Sequence, residues 1–505
     1  METAKLEPYL TYKPRAFTRA ERDQVTILFG GLHWRVERLI QGAMGNLGYR
    51  SQVLPTATKE DLLTGRELAD IGQCCPTSFT TGNLANVLRQ ETQRAGAEEV
   101  ARKYVYITAG ACGACRFGQY HQSYELALRN VGLDSFRMFL LAQNGLEQGA
   151  AEGGGLELNL PFTLGTVWAV MVGDLIQDLE YQIRPYEVIP GETERVVKES
   201  IEYLHGMFDR SPVSGMKKWG APFWYLSTNH FVKALREVRL RFDSIEVDRL
   251  RVKPVVKITG EFYLQTIEGE PNYNIHRWLE SEGAEVYPAA ITIWLDYLMR
   301  HAGQDYEDHI GIDRSARLKL GGIKTGRALL RWIYNRLRKT LDDLPHEMPD
   351  QYELRALAAP YYHSRLNGGE GDMLIGKALW AYHRKKAHMT CELSPYSCMP
   401  NTMSVGAMAA VTGKYPNLLY APLEIKGDAE VHALSRCQMI LTEAKRRAQR
   451  EFEDALNVNG ITLDRARELL EAFPEMKRAT YRVPRLGAAG TAANLVHHLA
   501  AKAKS

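Results

Sequence analysis

Over the first 145 residues, short unbroken apolar runs alternate with longer stretches in which apolar side chains recur at helical spacing. The run QVTILFGG (24–31) is apolar, β-branched and closed by two glycines, which predicts a buried strand. Val36, Leu39, Ile40, Ala43 and Leu47 follow at intervals of one helical turn and predict an amphipathic helix. YRSQVLP, KYVYITAG (103–110) and SFRMFLLAQN predict three further strands. Helical patterns over NLANVLRQETQRAG and QYHQSYELALRNVG separate the last three. A β-α-β-α rhythm of this kind predicts a parallel sheet covered by helices on both faces.

Residues 145–160, GLEQGAAEGGGLELNL, are glycine-rich and mark a boundary or a mobile loop. The stretch 161–250 reads mostly helical, beginning with TVWAVMVGDLIQDLEYQI. A second alternation then starts: KPVVKITGEFYL as strand, NYNIHRWLESEG as helix, AEVYP as strand, helices from 289 to 343, and NLLYAPLEI (417–425) as strand before a long amphipathic helix. The expected organisation is a first α/β lobe over 1–150, a helical connecting region over 151–250 and a second α/β lobe over 251–505.

Composition narrows the setting. A chain of 505 residues with 45% hydrophobic and 24% charged residues has the profile of a globular protein. A net charge of +3 gives no argument for a nucleic-acid partner. No apolar stretch is expected to reach the ~20 residues of a membrane span, and the N-terminal METAKLEPYLTYKPRAF lacks the apolar core of a secretory leader. The expectation is a cytoplasmic protein without membrane association.

The seven cysteines are too few for a disulfide framework at this length. They fall in separated groups: Cys74 and Cys75, Cys112 and Cys115, then Cys391, Cys398 and Cys437. Such grouping fits metal or cluster ligation better than pairing. The first two groups are expected at the carboxyl edge of the sheet, ahead of helices beginning near 83 and 118, where open α/β sheets bind ligands. CGAC alone leaves zinc, dithiol redox chemistry and an iron–sulfur cluster open. The competing reading is that the cysteines are small core residues. That reading is strongest for Cys437, on an amphipathic helix beside Met439 and Ile440, whereas Cys391 fits either role. Arg116 suits charge compensation beside a cluster, an anionic substrate or an ordinary salt bridge. His33, His121 and Tyr124 read as packing residues, Glu261 as a hydrogen-bonded loop carboxylate and Asn274 as a helix cap. No GxxxxGK[ST] loop is present; GGIKTG (321–326) lacks its spacing, and NGGEGD (367–372) reads as a turn.

The phrases QCCPTSFTTGNL (73–84), AGACGACRFGQYHQSY (109–124) and YSCMPNTM (396–403) resemble the 2-hydroxyacyl-CoA dehydratase superfamily, in particular its branch of CoA-enzyme activase-related proteins. TGEFYL with LESEGAEV (259–286) and GTAANLVHHLA (490–500) extend the resemblance over most of the chain. The resemblance implies two flavodoxin-like parallel-sheet lobes with helical elaborations and an iron–sulfur cluster in the cleft between them. The cluster would be a [4Fe–4S] cluster or a double-cubane [8Fe–9S] cluster. The family's three ligand cysteines fall on Cys74, Cys115 and Cys398. Cys75 stands where the family often has an apolar residue, and Cys112 at a variable position. Together they make a fuller set, and Cys391 or Cys437 would bring it to six. The implied partner is a separate homodimeric activator ATPase carrying its own [4Fe–4S] cluster, so that ATP acts only through that partner; a homo- or hetero-oligomer is compatible. The implied activity is anaerobic electron transfer to an acyl-CoA, as in the dehydratases, or to another small substrate. The alternative is a cluster-carrying assembly or maturation component of a larger redox complex.

Overall fold

The computed structural model describes residues 15–69, 72–110, 115–142, 145–147, 154–216, 220–366 and 369–503. Strands β1 (Thr26–Phe29), β2 (Arg50–Val53), β3 (Tyr104–Ala109), β4 (Arg137–Ala142) and β5 (Gly145–Glu147) form one sheet in the order β2-β1-β3-β4-β5. The first four are parallel and β5 runs antiparallel to β4. Strands β6 (Val255–Gly260), β7 (Glu285–Tyr287), β8 (Met389–Pro395) and β9 (Leu419–Ile425) form a second, wholly parallel sheet in the order β7-β6-β8-β9. Numbered along the chain within each sheet, both parallel sets run second, first, third, fourth. The two lobes therefore share one doubly wound topology, with a switch point between β1 and β3 and another between β6 and β8.

Two departures from the sequence reading concern strands. β5 lies in the glycine-rich stretch read as a boundary; residues 148–153 of that stretch lie outside the described residues. β8, MTCELSP, was not expected, although it is central and six of its seven residues are buried. Glu392 disguises it. Its carboxylate accepts from Asn401 Nδ2 at 2.8 Å, Tyr420 OH at 2.8 Å and Ser404 Oγ at 3.2 Å, so a charged residue type occupies a closed position.

The largest core is built around helix Leu160–Ile183, which is buried without interruption from Trp168 to Tyr181. That core takes in Val105 and Phe139 from the first sheet and Val255 and Tyr287 from the second. Contrary to the hydropathy expectation, this helix with its extension to Tyr186 is apolar and long enough to cross a membrane by length and composition, and 61% of its apolar window is buried inside the protein. Its three acids each hold a different part of the chain. Asp174 faces His33 and accepts from the amides of Ile291 and Thr292, Asp178 accepts from His346, and Glu180 accepts from Arg35 and Arg184.

In the first lobe, helices Lys59–Leu68 and Cys75–Ala95 cross with their backbones in contact. A Cβ on Gly65 would stand 1.8 Å from the Ser78 carbonyl oxygen, and one on Gly82 would stand 1.7 Å from that of Asp61. No side chain fits this crossing, which fixes where the second helix begins. Asp61 secures it further, accepting from Asn83 Nδ2 at 3.1 Å and Asn86 Nδ2 at 2.8 Å.

Candidate functional site between the two sheets

Three of the expected cysteines occupy the same local position, the residue immediately before a helical turn. Cys74 precedes helix Cys75–Ala95, Cys115 precedes the 3₁₀ turn Arg116–Gln119 that leads into helix Tyr120–Asn130, and Cys398 precedes helix Met399–Lys414. The helix at Cys74 thus starts eight residues earlier than the sequence pattern suggested; Pro76 in its first turn is a helix-start signal. Cys115 follows β3 and Cys398 follows β8, so each stands at the switch point of its own sheet.

The structure brings these positions together. Cys74, Glu261 and Glu370 act electrostatically on both Cys115 and Cys398, and Cys74 and Glu261 act on Cys75. The lobes touch at this point: the Cys75 amide donates to the Tyr396 carbonyl at 3.3 Å, two residues before Cys398. Cys74 packs in the core of the first lobe, whereas Cys75 belongs to a cluster made mostly of second-lobe residues. Cys74, Cys75 and Cys398 are buried and Cys115 is partly exposed. Cys112 lies outside the described residues.

Sulfur and carboxyl groups here meet little water. Burial pushes the thiols of Cys75 and Cys115 up to about 12, and raises those of Cys74 and Cys398. Burial likewise lifts Glu261 to about 7 and Glu370 to about 8, the latter helped by the charge of Glu261. Cys74 Sγ lies 3.1 Å from Tyr120 OH and 3.1 Å from Thr77 Oγ1, and the Cys398 thiol donates to Asn401 Oδ1 at 3.7 Å. Arg116 donates to the Gly72 carbonyl, and among the described residues it reaches no carboxylate and neither its buried Nε nor the buried Gln73 Oε1 has a partner.

Glu261 does two things. It caps helix Phe262–Thr266, accepting from the Leu264 amide at 3.0 Å, and it faces the cysteine group. Glu370 and Lys377 were not anticipated. Glu370 lies between Gly369 and Gly371, both with positive φ, and a Cβ on Gly369 would meet Pro400 Cβ at 2.6 Å. The Gly-Glu-Gly turn therefore presses on the Cys398-Met-Pro segment and turns its carboxyl inward, 3% exposed. Buried Lys377, lowered to about 8 by burial, is its opposite charge. A glutamate flanked by glycines was the available sequence signal.

Other expectations separate from the site. Cys391 on β8 and Cys437 on helix Glu430–Asn459 are 0% exposed in the core of the second lobe, hydrogen-bonded to each other. His33 is buried against Asp174, and Tyr124 donates to Thr80 Oγ1. Asn274 occupies the cap position of helix Ile275–Ser281 with φ +50°, but its side chain makes no capping bond.

Among the described residues, no three His, Cys, Asp or Glu side chains converge as the ligands of a single ion would. Sulfurs on one zinc stand about 3.8 Å apart. Thiolates of a cubane stand wider, because each meets a different iron. Buried thiols, hydroxyls directed at sulfur and, among the described residues, an unpartnered guanidinium N–H are groups that an anionic sulfur-bound cofactor could use. Neither a protein-family model nor a curated protein matches the chain.

Proposed function

We propose that the chain is an iron–sulfur protein that binds its cluster through Cys74, Cys115 and Cys398, with Cys75 and Cys112 as further candidates. It would accept low-potential electrons from a separate activator ATPase and pass them to an acyl-CoA or another small substrate. The observation that carries this reading is the arrangement of three cysteines, each ahead of a helical turn and drawn from both lobes, around one buried neighbourhood shared with Glu261 and Glu370. When bound, the group supplies one-electron chemistry and, at an iron without a cysteine, a position for a substrate oxygen. The chain's residues supply the rest. The hydroxyls of Tyr120 and Thr77 are directed at Cys74 sulfur, a contact of the kind that tunes cluster potential. Burial of the Cys74 and Cys398 thiols excludes water there. Arg116 offers an N–H to an anion. The closed-core positions of Cys391 and Cys437 favour a [4Fe–4S] cluster over a double cubane, which would need one of them as a sixth thiolate. Tyr396 and Met399, half exposed on either side of Cys398, offer an apolar rim on which an electron donor can dock.

The test is anaerobic purification with iron and acid-labile sulfide analysis. Brown protein with about four of each per chain is expected, falling sharply in Cys115→Ser. Colourless protein holding one zinc, or full iron retention in that variant, overturns the reading.

A further inference from the structure

We infer that a second cavity, separate from the cysteine group, binds a phosphate-bearing small molecule. The cavity has a volume of about 610 Å³ and opens where the end of helix Leu160–Ile183, the loop 343–347 and the strap 479–485 meet. That is the size range of small-molecule sites, and none of the cleft cysteines lines it. This inference does not depend on the cluster.

The charge balance of the wall points to the ligand. Five cationic side chains line the cavity against three carboxylates. Lys386 is paired with Glu347 at 2.7 Å and Arg338 with Asp343 at 2.8 Å. Buried Arg249 is structural: it donates to the carbonyls of Ala479 at 2.6 Å and Arg478 at 3.0 Å and so fastens the strap. Glu285 is occupied by the hydroxyls of Tyr186 and Thr491, both at 2.7 Å. Two strap arginines remain in excess. Among the described residues Arg482 comes no nearer to a carboxylate than 3.9 Å, at an Asp343 already bound by Arg338. Among the described residues Arg485 reaches no carboxylate and instead donates to His346 Nε2 at 3.3 Å.

That last contact defines the imidazole. A guanidinium has no acceptor, so His346 Nε2 must accept, and the proton resides on Nδ1, which donates to Asp178 Oδ1 at 2.6 Å. Tyr287 stacks on the ring at 3.7 Å and holds its plane. A neutral nitrogen is a weaker partner for Arg485 than a phosphate oxygen, with which a guanidinium makes two charge-assisted bonds. An incoming phosphate therefore takes Arg485 and Arg482 together and leaves His346 fixed by Asp178.

Isothermal titration of the full chain with inorganic pyrophosphate, and in a second arm with AMP, tests this. Saturable binding is expected with at least one probe, weakened about tenfold or more by Arg482→Glu and by Arg485→Glu and unaffected by Arg446→Glu on an exposed helix face elsewhere. Tighter binding of AMP would identify a nucleotide as the ligand; equal or weaker binding would identify the phosphate group alone, and either supports the site. Both strap arginines are exposed, so far-UV circular dichroism of the variants is expected to match the parent. No saturation by either probe at millimolar concentration, or equal weakening by Arg446→Glu, overturns the inference.

Discussion

Arg35 Nη1, on the first helix of one lobe, donates to Glu268 Oε1 of the other at 2.7 Å. The same guanidinium donates to Glu180 on the central helix, so one buried side chain bridges three parts of the fold. Removing it leaves partly buried Glu268 without its cation and buried Glu180 with Arg184 alone. Arg35→Met is therefore expected to cost about 3 kcal/mol or more in urea unfolding. Glu268→Gln is expected to cost clearly less, because Arg35 retains Glu180 and the amide oxygen still accepts from Tyr181. Equal losses in the two variants would show that the bridge is not what joins the lobes.

His276 packs against Tyr181 beside this bridge, the ring centroids 5.5 Å apart and the planes tilted by 31°, and among the described residues neither of its buried nitrogens has a hydrogen-bond partner. Burial lowers it from 6.5 to about 4, against the opposing pull of Glu268. As pH falls below 6.5 the unfolded chain takes up a proton at this residue and the folded chain does not. Stability is therefore lost on acidification, by about 2 kcal/mol at pH 5 from this group alone. His276→Phe keeps the ring and removes the proton site, so its stability is expected to fall less between pH 7 and pH 5. Parallel pH profiles for variant and parent would exclude the residue as a source of acid sensitivity.

Most of the fold was legible in the sequence because most strands are unbroken apolar runs and both lobes repeat one alternation. The residues that escaped notice did so for local reasons. β8 carries Glu392, a buried acid whose partners Asn401, Ser404 and Tyr420 are placed by tertiary structure. Helix Lys59–Leu68 lacks a strong apolar stripe, and its signal was the Thr58–Asp61 capping box. The cysteines were visible as residue types, but their neighbours Glu370, Lys377 and Tyr120 come from separate stretches of the chain. Spacing along a sequence cannot report a meeting of that kind.

The crossing at Gly65 and Gly82 makes a sharper mutational test. Gly82→Ala places a methyl group where the Asp61 carbonyl stands, and backbone cannot yield as a side-chain tip can. The expected loss is about 3 kcal/mol or more, the range of severe overpacking. Gly206→Ala, on helix Glu192–Asp209 with open space around it, is expected to be neutral or to gain up to about 1 kcal/mol from helix propensity. Thermal unfolding of both variants decides the point. A Gly82→Ala protein as stable as Gly206→Ala would mean that the two helices do not approach this closely.

The two classes of cysteine lead to opposite outcomes on substitution. Cys391 and Cys437 fill the second-lobe core, and each is the other's hydrogen-bond partner. Cys391→Ala should leave a small cavity and cost about 1–2 kcal/mol, with iron content per folded chain unchanged. Cys74→Ser and Cys398→Ser should behave in the reverse manner. Serine is nearly isosteric, and Cys74 keeps hydroxyl neighbours in Tyr120 and Thr77. Folding in the absence of iron should therefore be little altered, while anaerobically bound iron falls to a small fraction of the parent value. Unfolding curves and iron analysis on the same preparations separate the two cases. Iron loss in Cys391→Ala at full folded yield would move the second-lobe core pair into the ligand set and reopen the six-thiolate cluster.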